Sequence, residues 1–178
     1  MKKSIVVLAS ITFLLTACSN SGSETKTEAT TEATTEAATE APAEETPGEA
    51  PAATDGTVTL TGGDDMKFDL SEIKVKDGQT VKLTLVHSGK MPKTAMGHNF
   101  VLLATGVDVA KFATDAINAK DNDYIPASHK KDIIAHTKTI GGGESTTIEF
   151  KAPAKGTYDF LCSFPGHSAM MKGKFIVE

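Results

Sequence analysis

The sequence predicts an all-β domain, a sandwich of short antiparallel strands with one short helical insertion, preceded by a disordered tether. From Thr57 onward, apolar residues mostly alternate with polar ones, which is the period-two pattern of half-buried strands. Clusters of Gly, Pro and Asp separate these runs, and this is typical of a sandwich rather than of alternating helices and strands. Residues 19–54 lack the apolar side chains that a core requires.

Residues 1–17 predict a secretory signal peptide. Lys2 and Lys3 precede an apolar run over residues 5–15, which is too short to span a bilayer by itself. The following Leu-Thr-Ala-Cys ends at Cys18 and resembles the lipobox of bacterial lipoproteins, in which the cysteine is acylated and begins the mature chain. We therefore expect an exported bacterial lipoprotein, held by lipid on the periplasmic side of a membrane or at the outer membrane or cell surface. The alternative is an uncleaved anchor helix.

Residues 18–55 predict a disordered, acidic tether. Between residues 19 and 54 a Thr-Glu-Ala motif repeats, and the segment contains no aromatic residue and no Leu, Ile, Val or Met. Such a composition cannot bury a core, and a coil of this length spans roughly 30 Å between its ends. The same residues hold eight Glu against one Lys, whereas residues 55–178 balance 15 Lys against 15 Asp and Glu. A neutral domain without Arg argues against nucleic-acid binding.

Several runs in which apolar residues recur predict, in chain order, the strands of the folded domain. The first three are centred on Val58 and Leu60, on Ile73 and Val75, and on Val81 to Leu85, whose parity continues to His87. Later runs cover residues 100–103, 146–150, 158–162 and 174–177.

Residues 107–118 predict the helix, because Val109, Phe112 and Ala116 recur at helical spacing. The acidic loop at residues 121–123 has some likeness to a calcium loop but lacks its further ligands and terminal Glu.

Residues 162–171 carry three donors for a metal ion. Cys162 is followed by His167 and then by Met171, and Pro165 and Gly166 favour a tight loop between the first two donors. Thiolate, imidazole and thioether suit a soft, redox-active metal better than calcium or magnesium, which bind oxygen. A second imidazole has to come from elsewhere in the chain.

Four other histidines can supply this imidazole. His129 lies beside two lysines and is most simply a solvated residue, and His136 lies near an edge strand, where a surface position is the default. His87 continues the inward parity of its strand and is expected to be partly buried. His98 precedes an apolar strand and follows Gly97, which permits close approach of a backbone carbonyl.

Four segments together resemble azurin, a bacterial blue-copper protein of the cupredoxin type. They are residues 87–92, 96–100, 134–138 and 162–171, and the resemblance extends over nearly all of residues 57–178. It implies a Greek-key, cupredoxin-like domain over residues 56–178 that binds one type 1 copper ion. The family's usual disulfide and tryptophan are absent from this sequence.

The resemblance also implies a role for each residue of the site. The implied copper ligands are His98, Cys162 and His167 in a trigonal plane, Met171 as a distant axial ligand and the Gly97 carbonyl opposite it. Around them the resemblance places Asn99, Ser163 and Phe164, with Asn99 hydrogen-bonded to the segment at Ser163. The implied docking patch, through which electrons leave by His167, is Met96, Phe164, Pro165, Gly166 and Met170.

These features predict a one-electron carrier rather than an enzyme. The expected partners are redox proteins, such as a cytochrome, a reductase or an oxidase, with the membrane as a further partner through lipid on Cys18. The ligand set leaves no evident open position for a substrate, and a copper reductase or oxidase needs a further copper site. The alternative is a copper-binding, storage or copper-tolerance lipoprotein without an electron-transfer role. Zinc can occupy such a site because the ligand types overlap.

Overall fold

The computed structural model describes residues 48–49 and 55–178. The predicted signal peptide over residues 1–17, the predicted lipidation site at Cys18 and nearly all of the predicted tether lie outside the described residues, so these remain predictions. No helix in the described part of the chain is long and apolar enough to cross a bilayer.

Two packed sheets form the domain, which confirms the predicted β-sandwich. The described strands are β1 (Gly48–Glu49), β2 (Thr57–Gly62), β3 (Leu70–Val75), β4 (Thr80–His87), β5 (Val101–Leu103), β6 (Ile133–His136), β7 (Ser145–Lys151), β8 (Gly156–Leu161) and β9 (Lys172–Val177). One sheet has the order β1-β3-β9-β8-β5-β6, and the other has the order β2-β4-β7. Successive strands β2, β3 and β4 alternate between the sheets, as expected of a Greek-key arrangement.

The sheets are mixed, and this corrects the expectation of purely antiparallel strands. Strand β2 pairs in parallel with β4, and β3 pairs in parallel with β9, whereas β4 with β7 and β8 with β9 are antiparallel. The chain crosses to the other sheet between β2 and β4 and therefore returns in the same direction. Alternation of apolar residues reports which face of a strand is buried and carries no information on strand direction.

Helix α2 (Val109–Ala116) is the predicted helical insertion, two residues shorter at each end than the sequence suggested. Asp108 caps it by accepting the Lys111 N–H at 3.0 Å, and its buried face carries Phe112 and Ala116. A second helix, α1 (Lys93–Met96), follows Pro92 and was not predicted, because its single turn buries no residue that would produce a periodic pattern.

The main core lies between the sheets and continues to the predicted metal ligands. Its fully buried members include Leu60, Leu83, Leu85, Phe100, Phe160 and Phe175, and the same cluster contains Cys162 and Met171. A smaller cluster around Val101, Leu103 and Phe112 fixes α2 to the outer side of the larger sheet. The ends of β2, β4 and β8 and the start of β9 meet at one end of the sandwich, where the site is built.

Candidate metal centre

Two segments bring the predicted donors to this end of the sandwich. Cys162 directly follows β8 and Met171 directly precedes β9, and these strands remain paired at Leu161 and Lys172. The Cys162 N–H donates to the Met171 carbonyl at 2.9 Å and closes the loop at its base. His98 lies between α1 and β5, where its backbone exchanges two hydrogen bonds with Ile140, at 2.9 and 2.8 Å.

The side chains of His98, Cys162 and His167 converge on one point. Nδ1 of His98 lies 3.2 Å from Nδ1 of His167, and Sγ of Cys162 lies 3.7 Å from that same His167 nitrogen. All three donor atoms lie within 4.8 Å of one another. Within the described residues, this is the one cluster of three or more His, Cys, Asp or Glu side chains that could hold a metal ion. Atoms bound to one ion at about 2.0 Å for nitrogen and about 2.3 Å for thiolate lie within roughly 4 Å of each other. The side chains therefore fit a single metal ion.

The remaining predicted ligands border this cluster. The Gly97 carbonyl oxygen lies 3.0 Å from His98 Nδ1 and 3.9 Å from Cys162 Sγ. Met171 is fully buried, and a Cβ built on Gly62 would lie 2.9 Å from its Cε and 3.0 Å from His98 Cδ2, so both side chains border the same space beside Gly62. The structure thus brings all five predicted ligands together, while their bonds to the metal stay predictions.

Known copper proteins are similar to this chain in sequence and fold. The family model described as "Copper binding proteins, plastocyanin/azurin family" matches residues 54–178. The chain belongs to the plastocyanin/azurin family. It is a blue-copper protein of cupredoxin fold, and its cofactor is copper, as the sequence predicted.

Three relatives illustrate the match. Azurin of Pseudomonas chlororaphis is 42% identical over 126 residues, which cover 68% of this chain and 97% of that protein. Outer membrane protein H.8 of Neisseria gonorrhoeae is 41% identical over 119 residues, 65% of this chain and 64% of that protein. The crystal structure of dithionite-reduced auracyanin from Roseiflexus castenholzii superposes with a TM-score of 0.62 at 40% identity, covering 69% of this chain and 97% of that one.

Both ring nitrogens of His98 lie near backbone carbonyls in this cupredoxin site, Nε2 at 2.8 Å from Gly63 and Nδ1 at 3.0 Å from Gly97. A neutral ring carries one proton, so a ring that binds a metal through Nδ1 carries it on Nε2 and donates it to the Gly63 carbonyl. Burial lowers the pKa of His98, and burial together with the neighbouring His98 lowers the pKa of His167 to about 4. Both imidazoles are therefore neutral, and ready to bind a cation, near neutral pH.

Cys162 behaves differently because its charged form is the ligand. The residue is completely buried, and burial raises the pKa of its thiol to about 11, although the backbone N–H groups of Asn99 and Phe164 act in the opposite direction. Without metal the sulfur is a protonated thiol, which resists oxidation. A bound cation must displace this proton.

The predicted link between Asn99 and Ser163 is present. Asn99 Oδ1 accepts the Ser163 N–H at 2.8 Å, and Asn99 Nδ2 donates to Ser163 Oγ at 2.8 Å. A second donation from Nδ2 reaches the Asp123 carbonyl at 2.9 Å, and Ser163 Oγ donates to the Tyr124 carbonyl. The acidic loop that had some likeness to a calcium site, together with the adjacent Tyr124, therefore supports the segments of the predicted copper ligands through its backbone.

The residues of the predicted docking patch differ in exposure. Met170 is 58% exposed, Gly166 is exposed, and Met96 and Pro165 are half-buried, whereas Phe164 is only 8% exposed. The ring of Phe164 packs inside the domain, 5.0 Å from Tyr124 and 4.7 Å from His167 between ring centroids. Phe164 therefore supports His167 from within and adds little to any outer surface.

Sequence reasoning missed two supports of His98. The His87 ring stacks on it, with centroids 4.2 Å apart and planes 15° apart, and the Gly63 carbonyl holds its Nε2. The inward parity of His87 predicted its burial but not the stacking. A clearer signal was available in Gly62 and Gly63, since paired glycines at a strand end indicate close approach of backbone to another group.

The two remaining histidines, His129 and His136, do not belong to the metal cluster. His136 is exposed at the end of β6, as expected. His129 was expected to be solvated, yet its side chain is only 12% exposed, and its two ring nitrogens lie 2.7 Å from Asp115 and from Asp132. This arrangement connects α2 to the turn at residues 127–132 and corrects that expectation.

Proposed function

We propose that this protein is a one-electron carrier between redox proteins, held near a membrane by lipid on Cys18. The single observation that supports it most is the convergence of His98, Cys162 and His167 in a buried cluster bordered by Met171. Two imidazoles, a thiolate and a weak axial sulfur are typical of blue-copper electron-transfer sites. Copper, when bound, supplies a one-electron change between Cu(II) and Cu(I).

The residues around the ligands keep the donors in place during such a change. His98 is fixed at Nε2 by Gly63, and the Asn99–Ser163 pair joins the two ligand segments. Donors that are held in this way need little rearrangement when the charge of the ion changes, which favours rapid exchange. A substrate would have to displace one of these buried donors, and this supports a carrier rather than an enzyme.

We place the contact with redox partners at the loop that carries His167. This ligand is 3% exposed and lies beside Met170, whose side chain is 58% exposed. Met96, Pro165 and Gly166 complete the outer part of the docking patch. An exposed apolar patch of this kind suits a small, weak interface that releases its partner quickly, and the expected partners are a cytochrome, a reductase or an oxidase.

We also propose that Cys18 carries the lipid and that the protein works on the periplasmic side of a membrane or at the outer membrane or cell surface. The Leu-Thr-Ala-Cys sequence supports this, as does the name of the relative in Neisseria gonorrhoeae, an outer membrane protein. Mass spectrometry of the mature N-terminus tests it. An acylated Cys18 supports the anchor, and an unmodified or uncleaved N-terminus contradicts it.

Copper binding and electron exchange are tested on the full-length protein in detergent. Addition of Cu(II) is expected to give an intense visible absorption from thiolate-to-copper charge transfer, and Cys162→Ser is expected to abolish it. Met170→Glu should leave this spectrum unchanged but slow electron exchange with a small cytochrome, because a charge enters the apolar patch. Thr57→Glu adds the same charge at an exposed residue at the start of β2, the end of the strand that lies away from the site. This variant should exchange electrons at the wild-type rate.

The outcomes separate the carrier from its alternative. A colourless copper complex would contradict the blue-copper site in this chain. A blue protein that binds copper but is not reversibly reduced would favour the storage or tolerance role. Equal exchange rates in the Met170 and Thr57 variants would remove the docking patch from the proposal.

A further inference from the structure

Asp64 connects two segments that lie on the outer side of His98. Its carboxylate accepts the Lys90 N–H on Oδ2 at 2.8 Å and the Met91 N–H on Oδ1 at 3.3 Å. Among the described ion pairs, Asp64 has no lysine partner, although Lys90 belongs to the same turn. Its two oxygens are instead directed at the backbone of the turn, and charge-assisted bonds of this kind anchor a loop.

The turn is built to receive this carboxylate. A Cβ on Gly89 would collide with Oδ1 and Cγ of Asp64, so the carboxylate occupies the space that a side chain at position 89 would take. Ser88, the first residue of the turn, donates its N–H to the Gly62 carbonyl at 2.9 Å. Residues 62–64 and 88–91 are thus joined at both ends of their contact.

Each of the joined segments holds His98 in a different way. On one side, the Gly63 carbonyl accepts the His98 Nε2–H at 2.8 Å. On the other side, the Gly89 N–H donates to His87 Nδ1 at 3.1 Å, and His87 Nε2 donates to the Met96 carbonyl at 2.7 Å. These bonds orient the His87 ring that stacks on His98 at 4.2 Å. The position of the His98 ring therefore depends on the relative placement of the two segments.

We propose that Asp64 is a positioning residue of the copper site. By holding the turn at residues 88–91 against residues 62–64, it fixes both the hydrogen-bond acceptor and the stacking partner of His98. Outer partners of metal-binding histidines typically change metal affinity or activity by about 10- to 100-fold when removed. This inference concerns the copper site alone and is independent of whether the protein carries electrons between partners.

Asp64→Asn tests the inference, with Asp65→Asn as its matched control. Each variant removes one negative charge at adjacent exposed positions, so the long-range effect of charge on the copper is nearly the same. Asp65 has no hydrogen bond or ion pair to another described side chain or backbone group. Asn at position 64 replaces one acceptor oxygen by an NH₂ group, which cannot accept from the turn.

The first measurement uses the protein loaded with redox-inert zinc, in which Nδ1 is expected to bind the metal and Nε2 to carry the proton, and follows exchange of the His98 Nε2 proton with water by NMR. We expect Asp64→Asn to accelerate this exchange by roughly tenfold, the effect of losing one charge-assisted hydrogen bond. The second measurement records the Cu(II) hyperfine splitting and the charge-transfer bands of the loaded protein. Asp64→Asn should change both, whereas Asp65→Asn should match the wild type in all three observables.

A further variant keeps the test valid if Asp64→Asn fails to fold. Gly89→Ala displaces the carboxylate without changing any charge, and we expect the same faster proton exchange and the same direction of spectral change. Wild-type behaviour of both the Asp64 and the Gly89 variants would overturn the inference. Equal changes in the Asp64 and Asp65 variants would also overturn it, since charge alone would then explain the effect.

Discussion

Asn99 and Ser163 exchange two hydrogen bonds of 2.8 Å although they lie 64 residues apart in the sequence. Each directly follows a predicted copper ligand, His98 in one case and Cys162 in the other. The pair therefore joins the two segments that carry the ligands, and it does so in the buried interior, where water cannot replace either partner.

Asn99→Ala tests the energetic role of this pair. The change leaves the buried Ser163 N–H without an acceptor, and we expect the free energy of unfolding of the metal-free protein to fall by about 1–3 kcal/mol. Urea denaturation measures it. Asn118→Ala is the control, because Asn118 is exposed just beyond α2 and should have almost no effect. Equal unfolding free energies for the two variants would contradict the assigned role.

Gly62→Ala tests the close packing of the strand end against the ligands. The new Cβ would lie 2.9 Å from Met171 Cε and 3.0 Å from His98 Cδ2, so at least one ligand must move. Overpacking of this kind costs about 1–3 kcal/mol, and we expect altered copper charge-transfer bands as well as reduced stability.

Gly143→Ala serves as its control. A side chain there meets open space, and the cost arises only from its positive φ of 76°. We expect Gly143→Ala to lower stability and leave the copper spectrum unchanged. An unchanged spectrum for Gly62→Ala would show that the ligands tolerate the extra methyl group.

Metal binding should release one proton per ion. Burial raises the pKa of Cys162 to about 11, so the thiol is protonated near neutral pH, while the lowered pKa values of His98 and His167 leave both rings neutral. The apparent affinity for zinc(II), which is redox-inert, should therefore rise about tenfold per pH unit around neutrality.

Calorimetry in buffers of different ionisation enthalpy counts the protons released by zinc binding. Cys162→Ser should bring the count near zero and weaken binding. Release of no proton by the wild type would mean that the thiolate exists before the metal binds. Release of two protons would mean that one imidazole is charged in the metal-free protein.

His129 should make stability depend on pH. Hydrogen bonds from its ring to Asp115 and to Asp132 raise its pKa in the folded protein. The stabilisation is therefore complete below the unfolded pKa of about 6.5 and is lost as pH rises through the raised folded value. Urea denaturation of the wild type and of His129→Gln should give unfolding free energies that differ at acidic pH and converge at alkaline pH. A difference that is constant across this range would exclude a charged His129 as its source.

The sequence predicted the parts of the site that residue type and local spacing encode. Cys162, His167 and Met171 lie in one short loop, so their spacing indicates a metal site directly. The helical spacing of apolar residues likewise predicted helix α2. The support of His98 by Gly63 escaped prediction, because the acceptor is a backbone carbonyl that any residue would provide. Paired glycines were the only trace of it.

Contacts between distant side chains were also beyond sequence reasoning. The partners of His129 include Asp115, on a helix 14 residues earlier, and no periodicity relates the two positions. Parallel pairing of β2 with β4 was missed for a similar reason, since burial patterns are identical for both strand directions.

The loop over residues 162–171 begins and ends in strands that are paired with each other at Leu161 and Lys172. Insertions or deletions within it can change the spacing of three donors without breaking a strand pair, while His98 remains fixed by the sandwich. Three of the predicted copper donors and the exposed surface beside His167 thus belong to one short stretch. A change of length in this stretch can therefore alter the copper site and the docking patch together.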